Sequence, residues 1–372
     1  MKNPKKILIA NRGVIAIRAL RAAKELGYQV ASVYSTIDKD QKHLKLSDEA
    51  ICIGPAEAKD SYLNEAAIIS AAELVGADAI YPGYGFLAEN SSFAEKCNQS
   101  GFKFVGPNSQ VIEIMGDKIK AKELIESLGV PVVPGYTGDI KDRDHIEGIV
   151  EGIGYPVIVK ASAGGGGKGM RVVQSKEELW DSVVSAQNEA EFAFGNGEVF
   201  IEKYLQKPRH IEVQVFGDGK GKVVHLFSRD CSLQRRYQKI LEEAPARNLP
   251  EDKLNKVQEI CVNACSQLKY EGAGTLEFLY ENNEFYFIEM NTRIQVEHTV
   301  TEMITGVDLV QAQLSLAIEG KFELEQEKLR INGHAMQCRI NAEDPATFMP
   351  SPGEITTVHR PGGYHVRFES QI

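Results

Sequence analysis

The sequence predicts an α/β protein whose first region has a parallel sheet and whose second region is α+β, with antiparallel hairpins. Three observations lead to this prediction. Buried strand patterns alternate with amphipathic helices over residues 6–105. A run of glycines at 164–167 then lies between two further strand patterns. Beyond residue 199, most apolar segments are short and separated by turns, as in hairpins.

The N-terminal region shows strands and helices in alternation. The segments KILIAN, YQVASVYS, ADAIYPG and FKFVGP have the apolar content of buried strands, and IAIRALRAAKEL and AAIISAAELVG have helical periodicity. Strands joined by helices of this length run parallel. The glycine turns NRG and PGYGF follow strands, at the edge where open α/β sheets place ligands. Each turn alone is equally consistent with a plain connection.

The segment 115–135 indicates a domain boundary, because a helical pattern ends at Gly129 and Pro131 and Pro134 follow. A strand, the glycine run, a second strand and the helix KEELWDSVVSAQNEAEFAF come next. Later segments predict a hairpin turn at DGKG, a hairpin in GAGTLEFLYENNEFYFIEMN and a last β segment in GHAMQCRINAED. Helices are expected at 251–270 and 303–318.

Composition limits the classes of function. The chain has 372 residues and a formal net charge of −10, which predicts two or three domains and argues against a general nucleic-acid-binding protein. The four-residue apolar run near the N-terminus is too short for a signal peptide or a membrane span. The six cysteines lack the spacing of a disulfide or zinc framework. We therefore expect core thiols and a cytoplasmic protein.

The sequence KASAGGGGKGM, which starts at Lys160, indicates a loop that lies close against a ligand. It fails the Walker pattern, because Gly169 rather than Ser or Thr follows Lys168. Gly164, Gly166 and Gly169 match G-x-G-x-x-G only weakly, because a strand and not a helix follows. We favour a flap whose backbone N–H groups cover phosphates, with charge from Lys160, over a flexible linker.

Alternating polar residues in the hairpin near residue 283 predict a divalent-cation site. Side chains two residues apart share a face of a strand, so Glu289, Asn291, Arg293 and Gln295 are expected to line one polar wall. Glu277 joins them only if the connecting loop has an odd number of residues, and a two-residue turn at 282–283 would place it on the opposite face. Two carboxylates and an amide suit Mg²⁺ or Mn²⁺ at nucleotide phosphates. The alternative is the solvated face of a surface hairpin.

A basic cluster stands out in this acidic chain, within SRDCSLQRRYQKILEEAP. Its members are Arg229, Arg235, Arg236 and Lys239. Such a cluster predicts a site that captures an anion. The alternative is a charged surface helix in which Glu242 and Glu243 pair with these cations.

Arg339, in CRINAED, allows two interpretations. It forms a structural ion pair with Glu343 or Asp344, or it grips a substrate carbonyl or phosphate through two parallel hydrogen bonds.

Several motifs together resemble the biotin carboxylase family. They are MGDK, KASAGGGGKGM, EKYL with PRHIEVQV, RDCSLQRRYQK, EEAP, GAGTLEF, FIEMNTRIQVEH and EMITGVDLV. The resemblance covers nearly the whole chain in order, and these motifs are highly specific. It implies a Rossmann-like domain over 1–114, an ATP-grasp domain over 115–330 with a mobile lid at about 133–204, and a partial C-terminal β subdomain over 331–372.

The resemblance also implies a reaction. ATP and bicarbonate form carboxyphosphate, which carboxylates biotin on biotin carboxyl carrier protein, as in the first half-reaction of acetyl-CoA carboxylase in fatty acid biosynthesis. The implied cofactors are two Mg²⁺ or Mn²⁺ ions beside the substrate ATP. The implied partners are the carrier, the carboxyltransferase subunits indirectly and a second copy of the chain, without nucleic acid or membrane.

Other interpretations stay open beside this one. The chain could serve a carboxylase of the pyruvate or propionyl-CoA type. It could also be another ATP-grasp ligase, with an amino acid or carbamate as acceptor, or a non-catalytic nucleotide-binding module.

Motif matches place the family's functional residues in this chain. Nucleotide contacts fall on Lys118, Lys160, Gly166, Gly167, Met170, Glu202, Lys203, Tyr204, Leu205, His210, Tyr237 and Leu279. Metal ligands fall on Glu277, Glu289 and Asn291, and bicarbonate contacts on Lys239, Arg293, Gln295 and Val296. The implied catalytic residues are Lys239, Arg293, which stabilises the biotin enolate, and Glu297, the general base. Arg339 and Tyr84 resemble biotin contacts.

The chain departs from the family pattern at a few positions: Val14, Ala163, Tyr237 and Thr299. A histidine is usual at 237, and a phenol there donates a hydrogen bond but carries no positive charge. The family continues for several tens of residues beyond VRFESQI, and that tail contributes to the adenine pocket and to dimer packing. We therefore expect a shortened chain that ends in an unpaired strand edge and has reduced activity.

Overall fold

The computed structural model of the chain describes residues 5–162 and 170–372. Within these residues it forms three β-sheets of five, six and four strands. The loop 163–169, and with it the predicted contacts Gly166 and Gly167, lies outside the described residues.

The N-terminal sheet has five parallel strands in the spatial order β3-β2-β1-β4-β5. They are β1 (Lys6–Ile9), β2 (Gln29–Ser35), β3 (Glu49–Gly54), β4 (Ala79–Tyr81) and β5 (Lys103–Phe104). The helices of this region are α1 (Gly13–Glu25), α2 (Lys42–Leu46), α3 (Glu65–Val75), α4 (Ser91–Gln99) and α5 (Ser109–Gly116). The predicted parallel βαβ arrangement is confirmed.

Both faces of this parallel sheet are buried, which explains its continuous apolar strands. Ile7 and Ile9 of β1 pack in one core with α1, whereas Leu8 packs in the opposite core with α3 and α4. At the carboxyl edge, the Asn11 side chain donates hydrogen bonds to the carbonyls of Pro82 (2.7 Å) and Tyr84 (2.8 Å). These hydrogen bonds therefore hold the turn NRG against the turn PGYGF.

A four-stranded antiparallel sheet follows α6 (Lys118–Ser127), in the order β6-β9-β7-β8. Its strands are β6 (Gly135–Tyr136), β7 (Val157–Ala161), β8 (Arg171–Val173) and β9 (Val199–Lys203). Helices α7 (Arg143–Ile153) and α8 (Lys176–Phe194) cover it. Ile146, Val157 and Val183 lie in its core, which is separate from the other cores.

The third sheet is antiparallel, in the order β14-β13-β10-β11-β12-β15. Its strands are β10 (Arg209–Asp218), β11 (Val223–Arg235), β12 (Gln238–Ala244), β13 (Glu271–Glu281), β14 (Glu284–Asn291) and β15 (Ala335–Cys338). Helix α9 (Glu251–Gln267) packs with α5 and α6 in one core of this sheet, and Cys261 and Cys265 lie in that core. All six cysteines are free thiols and four are buried, but Cys52 and Cys338 are exposed, so the expectation of core thiols is wrong for these two.

Helices α10 (His298–Thr305) and α11 (Leu309–Glu319) lie on the other side and join this sheet to the N-terminal domain. Arg18 of α1 binds Glu302 (3.0 Å) and Asp308 (2.6 Å), and these contacts are largely buried. The Tyr28 hydroxyl donates to Glu319 at 2.7 Å. These contacts fix the loops of the N-terminal sheet over one end of the antiparallel sheet.

Three expectations differ from the structure. The helix expected at 303–318 is two helices, because Gly306 ends α10 with φ +71° and Asp308 caps α11. The basic cluster lies in the β11–β12 hairpin, so the surface-helix alternative is wrong. VRFESQI is irregular rather than a strand. Within the described residues, no helix is long and apolar enough to cross a lipid bilayer.

Candidate active site

The β13–β14 hairpin contains a register shift that decides which side chains meet. Its turn has two residues, Asn282 (φ +54°) and Asn283 (φ +64°), as a tight hairpin turn requires. By itself, a turn with this even number of residues would place Glu277 and Glu289 on opposite faces of the sheet. The register shifts between Glu277 and Phe278, however, and Glu277 lies directly opposite Glu289. The conclusion drawn from the turn is therefore wrong, because a β-bulge restores the shared face.

A row of charged residues crosses four strands of the antiparallel sheet. Glu289, Glu277, Glu212 and Arg229 lie opposite one another on β14, β13, β10 and β11. We call the three acids the carboxylate row. Lys239 of β12 lies 2.9 Å from Glu277 and also binds Glu212. Burial alone would lower the pKa of Lys239, but the surrounding carboxylates outweigh it and raise that pKa.

Arg229 neutralises the inner end of the carboxylate row. Its guanidinium is fully buried and donates to Glu212 (2.8 Å), Gln214 (2.6 Å) and Thr275 (3.0 Å), and also to Gln295. Burial would raise the pKa of Glu212, but Lys239 and Arg229 hold it well below its usual range. Lys239, Arg229 and His210 (3.4 Å) thus surround the carboxylate of Glu212.

Glu277 accepts hydrogen bonds from three side chains through Oε1: Asn291 (2.8 Å), Gln295 (2.7 Å) and Lys239 (2.9 Å). Its Oε2 lies 2.8 Å from Nε2 of His210, at an angle that makes this an ion-pair contact rather than an aligned hydrogen bond. Burial lowers the pKa of His210, but Glu212 and Glu277 outweigh it and raise that pKa to about 10. The solvated-hairpin alternative is wrong for Glu277, which is 4% exposed.

Glu289 faces Glu277 from the neighbouring strand. Burial and the charge of Glu277 raise the pKa of Glu289, although Lys118 and Lys239 oppose the rise. Two facing acids with the amide oxygen of Asn291 nearby form an all-oxygen donor set, which suits Mg²⁺ or Mn²⁺. Donor atoms of His210, Glu212 and Glu277 also converge within 4.8 Å. Glu212 is already held by Arg229 and Lys239, so the Glu277–Glu289 pair fits a metal better.

Glu297 lies between two cations. One of its oxygens is 2.8 Å from Nζ of Lys239, and the other is 2.9 Å from Nη2 of Arg339. Arg339 also donates to Glu242 at 2.6 Å, and Glu242 is fully buried. The ion pair expected between Arg339 and Glu343 or Asp344 is wrong, because Glu343 binds Arg235 through both oxygens (2.7 and 2.8 Å). The side chain of Glu297 is thus fixed in one orientation.

The N-terminal domain contributes two side chains to the site. Glu89 accepts a hydrogen bond from Nε of Arg293 (2.7 Å) and one from the backbone N–H of Thr292 (3.2 Å). Nη2 of Arg293 donates to Asn291 at 2.7 Å. Burial raises the pKa of Tyr84 to about 12, and the charge of Arg339 opposes this rise. Arg293 therefore connects the metal-ligand candidates to the N-terminal loop.

The predicted nucleotide contacts of β7 and β9 flank the start of the glycine loop. Lys160 binds Glu202 at 2.5 Å. Lys203 instead turns its Nζ to the carbonyls of Gly154 (2.9 Å) and Tyr155 (2.9 Å). The N–H of Tyr204 donates to Pro156 at 3.0 Å, and Leu205 is buried. Of these five predicted residues, Lys160 and Glu202 bind each other through their side chains.

The remaining predicted residues lie around this arrangement. Leu279 pairs with His210 across β13 and β10, and Lys118 begins α6 near Glu289. Met170 precedes β8, and Val296 precedes Glu297. Tyr237 occupies the two-residue turn between β11 and β12 with φ +63° and is 74% exposed. The structure places it at the tip of the hairpin, apart from the buried carboxylates.

Four contacts of this site were absent from the predicted set: Glu212, Arg229 as a structural cation, Glu242 and Glu89. A local signal existed for Glu212, since Glu212 and Gln214 alternate with Ile211 and Val213 inside an apolar strand. Glu89 gave no such signal, because its partner Arg293 is 204 residues away.

Comparisons with known proteins agree with this architecture. Residues 3–112 match the family model "Biotin carboxylase, N-terminal domain". Residues 117–325 match "Carbamoyl-phosphate synthase L chain, ATP binding domain". The two matches meet where the Rossmann-like sheet ends and α6 begins.

Relatives and solved structures extend this similarity over the whole chain. A biotin carboxylase of Haemophilus influenzae is 56% identical over 368 residues, 99% of this chain and 82% of that protein. A crystal structure of biotin carboxylase from Campylobacter jejuni in a β,γ-ATP complex has a TM-score of 0.94 and 51% identity, and covers 99% of this chain and 82% of that one.

The biotin carboxylase domain dimer of Hydrogenobacter thermophilus 2-oxoglutarate carboxylase, with MgADP, ADP and bicarbonate, has a TM-score of 0.90 and 50% identity. It covers 97% of this chain and 80% of that chain. The fold is therefore a Rossmann-like domain with a parallel sheet, followed by an ATP-grasp domain with antiparallel sheets.

Proposed function

This chain belongs to the biotin carboxylase family of ATP-dependent ligases, and we propose that it uses ATP and bicarbonate to carboxylate biotin on a carrier protein. One observation carries the proposal. Lys239 bridges Glu277 of the carboxylate row to Glu297, which Arg339 holds from the other side. A site for metal-bound phosphates thus adjoins a site with cations and a fixed carboxylate, as the meeting of two anions requires.

Nucleotide binding is assigned to the face between the lid and the antiparallel sheet. We propose that Lys118, Lys160 and His210 contact phosphates, that the glycines Gly166 and Gly167 cover them, and that the backbone of 202–205 holds the base. Met170, Tyr237 and Leu279 complete the proposed set of contacts. Glu277, Glu289 and Asn291 are proposed to hold two Mg²⁺ or Mn²⁺ ions, which would neutralise phosphate charge.

Bicarbonate is proposed to bind Lys239, Arg293, Gln295 and the backbone of Val296. In the first step a bicarbonate oxygen attacks the γ-phosphorus, the bond to ADP breaks, and Glu297 accepts the bicarbonate proton. The products are carboxyphosphate and ADP. Because Lys239 and Arg339 each hold one oxygen of Glu297, the carboxylate keeps a single orientation toward that proton.

Biotin is proposed to bind between Tyr84 and Arg339, at the edge that the N-terminal loop contributes. Carboxyphosphate then breaks its bond between carbon and the bridging oxygen and releases phosphate, which takes the N–H proton of biotin. Arg293 stabilises the resulting enolate while the nitrogen of biotin attacks the carboxyl carbon. Carboxyphosphate hydrolyses readily in water, so the lid at about 133–204 closes before it forms.

The test is phosphate release from ATP, measured with and without bicarbonate and free biotin. We expect release to depend on bicarbonate and to rise with biotin. Arg293→Ala should lower the biotin-stimulated rate about a hundredfold or more, because a donor aimed at developing charge is removed. Lys253→Ala, which removes an exposed cation of α9 paired only with Glu284 in the described structure, is the matched control.

Two results would contradict the proposal. ATP turnover with an amino acid or carbamate but not bicarbonate would identify another ATP-grasp ligase. Tight ATP binding without phosphate release would identify a non-catalytic module.

We further propose that the chain supplies an acetyl-CoA carboxylase of fatty acid biosynthesis in the cytoplasm, as a homodimer. Its carrier protein brings biotin to the site, and carboxyltransferase subunits act on the product. The second candidate is a 2-oxo acid or propionyl-CoA carboxylase, since the similar Hydrogenobacter domain belongs to 2-oxoglutarate carboxylase. Carboxylation rates with biotinylated carriers from each class of complex would decide between them.

A further inference from the structure

A buried carboxylate at the base of the lid has two lysine partners. Glu202 of β9 has a side chain that is only 6% exposed. Its Oε2 binds Lys160 of β7 at 2.5 Å, and its Oε1 binds Lys122 of α6. Removing every partner of a buried charge is strongly destabilising, so at least one of these lysines must remain bound to Glu202.

The two lysines are anchored differently. Lys122 is 12% exposed and also donates to the carbonyl of Val133 at 2.8 Å. Val133 lies two residues before β6, and Glu202 pairs with Gly135 of β6, so Lys122 contacts β9 and the segment that leads into β6. Lys160 is more exposed, at 23%, and lies three positions before residue 163, where the loop 163–169 begins. Lys122 is thus fixed, whereas Lys160 has solvent on one side.

From this asymmetry we propose that Lys122 is a positioning residue that keeps the charge of Glu202 neutralised and so releases Lys160 for the phosphates of the nucleotide. The inference rests on the proposed function, in which Lys160 contacts phosphate. Without the charge of Lys122, Lys160 would have to choose between Glu202 and the nucleotide. The effect should therefore depend on the phosphates and not on the adenine base.

The test compares ATP, ADP and adenosine binding to the intact chain and to Lys122→Gln, by calorimetry and by competition in the phosphate-release assay. The glutamine still donates to Val133 but carries no charge. We expect ATP and ADP to bind about tenfold more weakly, adenosine to bind unchanged, and the KM for ATP to rise while kcat stays within about twofold. Lys122→Arg should restore binding.

The matched control is Lys120→Gln, which removes an exposed lysine of the same helix paired with Asp117 (3.3 Å). It should leave all three affinities unchanged. Equal weakening of adenosine and ADP by Lys122→Gln would overturn the inference, since that pattern indicates a damaged hinge. Unchanged ADP affinity would also overturn it.

A second comparison separates a lost charge from a weakened fold in the Lys122→Gln variant. In a Glu202→Gln background no carboxylate competes for Lys160, so adding Lys122→Gln should leave ADP affinity within about twofold. A further tenfold loss in that background would overturn the inference. Failure of the proposed function gives a different result, because the parent chain would then show no bicarbonate-dependent phosphate release, whereas the comparison of ADP with adenosine binding tests Lys122 alone.

Discussion

The parallel N-terminal sheet and the antiparallel six-stranded sheet use their buried interiors in different ways. Ile7, Leu8 and Ile9 of β1 are fully buried and apolar on both faces, so this sheet contributes to the site only through loops at its carboxyl edge. In the antiparallel sheet the carboxylate row and Arg229 occupy the interior itself. Charges inside a sheet need exact partners, whereas an apolar core needs only volume and shape.

The largest expected effect tests this difference directly. Arg229→Met should destabilise folding by about 3–5 kcal/mol, because Glu212 loses a fully buried counter-charge. Leu8→Ala in the parallel sheet should cost about 2–5 kcal/mol through lost apolar contacts and a cavity. Denaturant unfolding measures both.

The comparison becomes sharper with a second substitution. Adding Glu212→Gln to Arg229→Met should recover part of the lost stability, since the unpaired charge is removed. If the double variant is as unstable as the sum of the two single variants, the ionic account of this sheet is wrong.

An intermediate effect is expected where the two sheets meet. Glu89→Gln weakens the hold of the N-terminal loop on Arg293, and we expect biotin-stimulated turnover to fall about tenfold through misorientation of that guanidinium. Unfolding free energy should hardly change, because Glu89 is exposed. Glu65→Gln, at an exposed ion pair with Lys96 in the same domain, is the control. If Glu89→Gln and Glu65→Gln have equal activity, Glu89 does not orient Arg293.

The smallest expected effect concerns the outer end of the carboxylate row. In the absence of divalent cations, Glu289→Gln should stabilise the chain by about 1 kcal/mol at neutral pH, because burial and Glu277 raise the pKa of Glu289. The folded chain binds this proton more tightly than the unfolded chain. The parent therefore gains stability as pH falls through the raised pKa, and the advantage of the variant disappears at acid pH.

Thermal unfolding across pH, in the presence of a chelator, measures this difference. Glu284→Gln, at the exposed end of the same hairpin, is the matched control. An advantage of Glu289→Gln that grows as pH falls would contradict the assignment. Phosphate release should be lost in Glu289→Gln although this variant is more stable. The loss of activity would then reflect the proposed metal-binding role of Glu289 and not unfolding.

Much of the fold and of the candidate set could be predicted from local sequence. The parallel units followed from strand and helix lengths, and the placement of Glu289 and Asn291 followed from their spacing in one strand. Partner choice could not be predicted in the same way. Arg339 binds Glu242 and Glu297 rather than its sequence neighbours Glu343 and Asp344, because strand pairing across β12 and β15 brings distant residues together.

The sequence by itself determined most of the elements, the family motifs and the residue types that reach the site, because side-chain periodicity and turn chemistry are local. Only the tertiary structure decided that a bulge brings Glu277 opposite Glu289, and that Arg229 and Lys239 neutralise Glu212. Register and counter-charge depend on which strands meet. Strand pairing depends on burial over the whole chain, so it cannot be predicted from short segments.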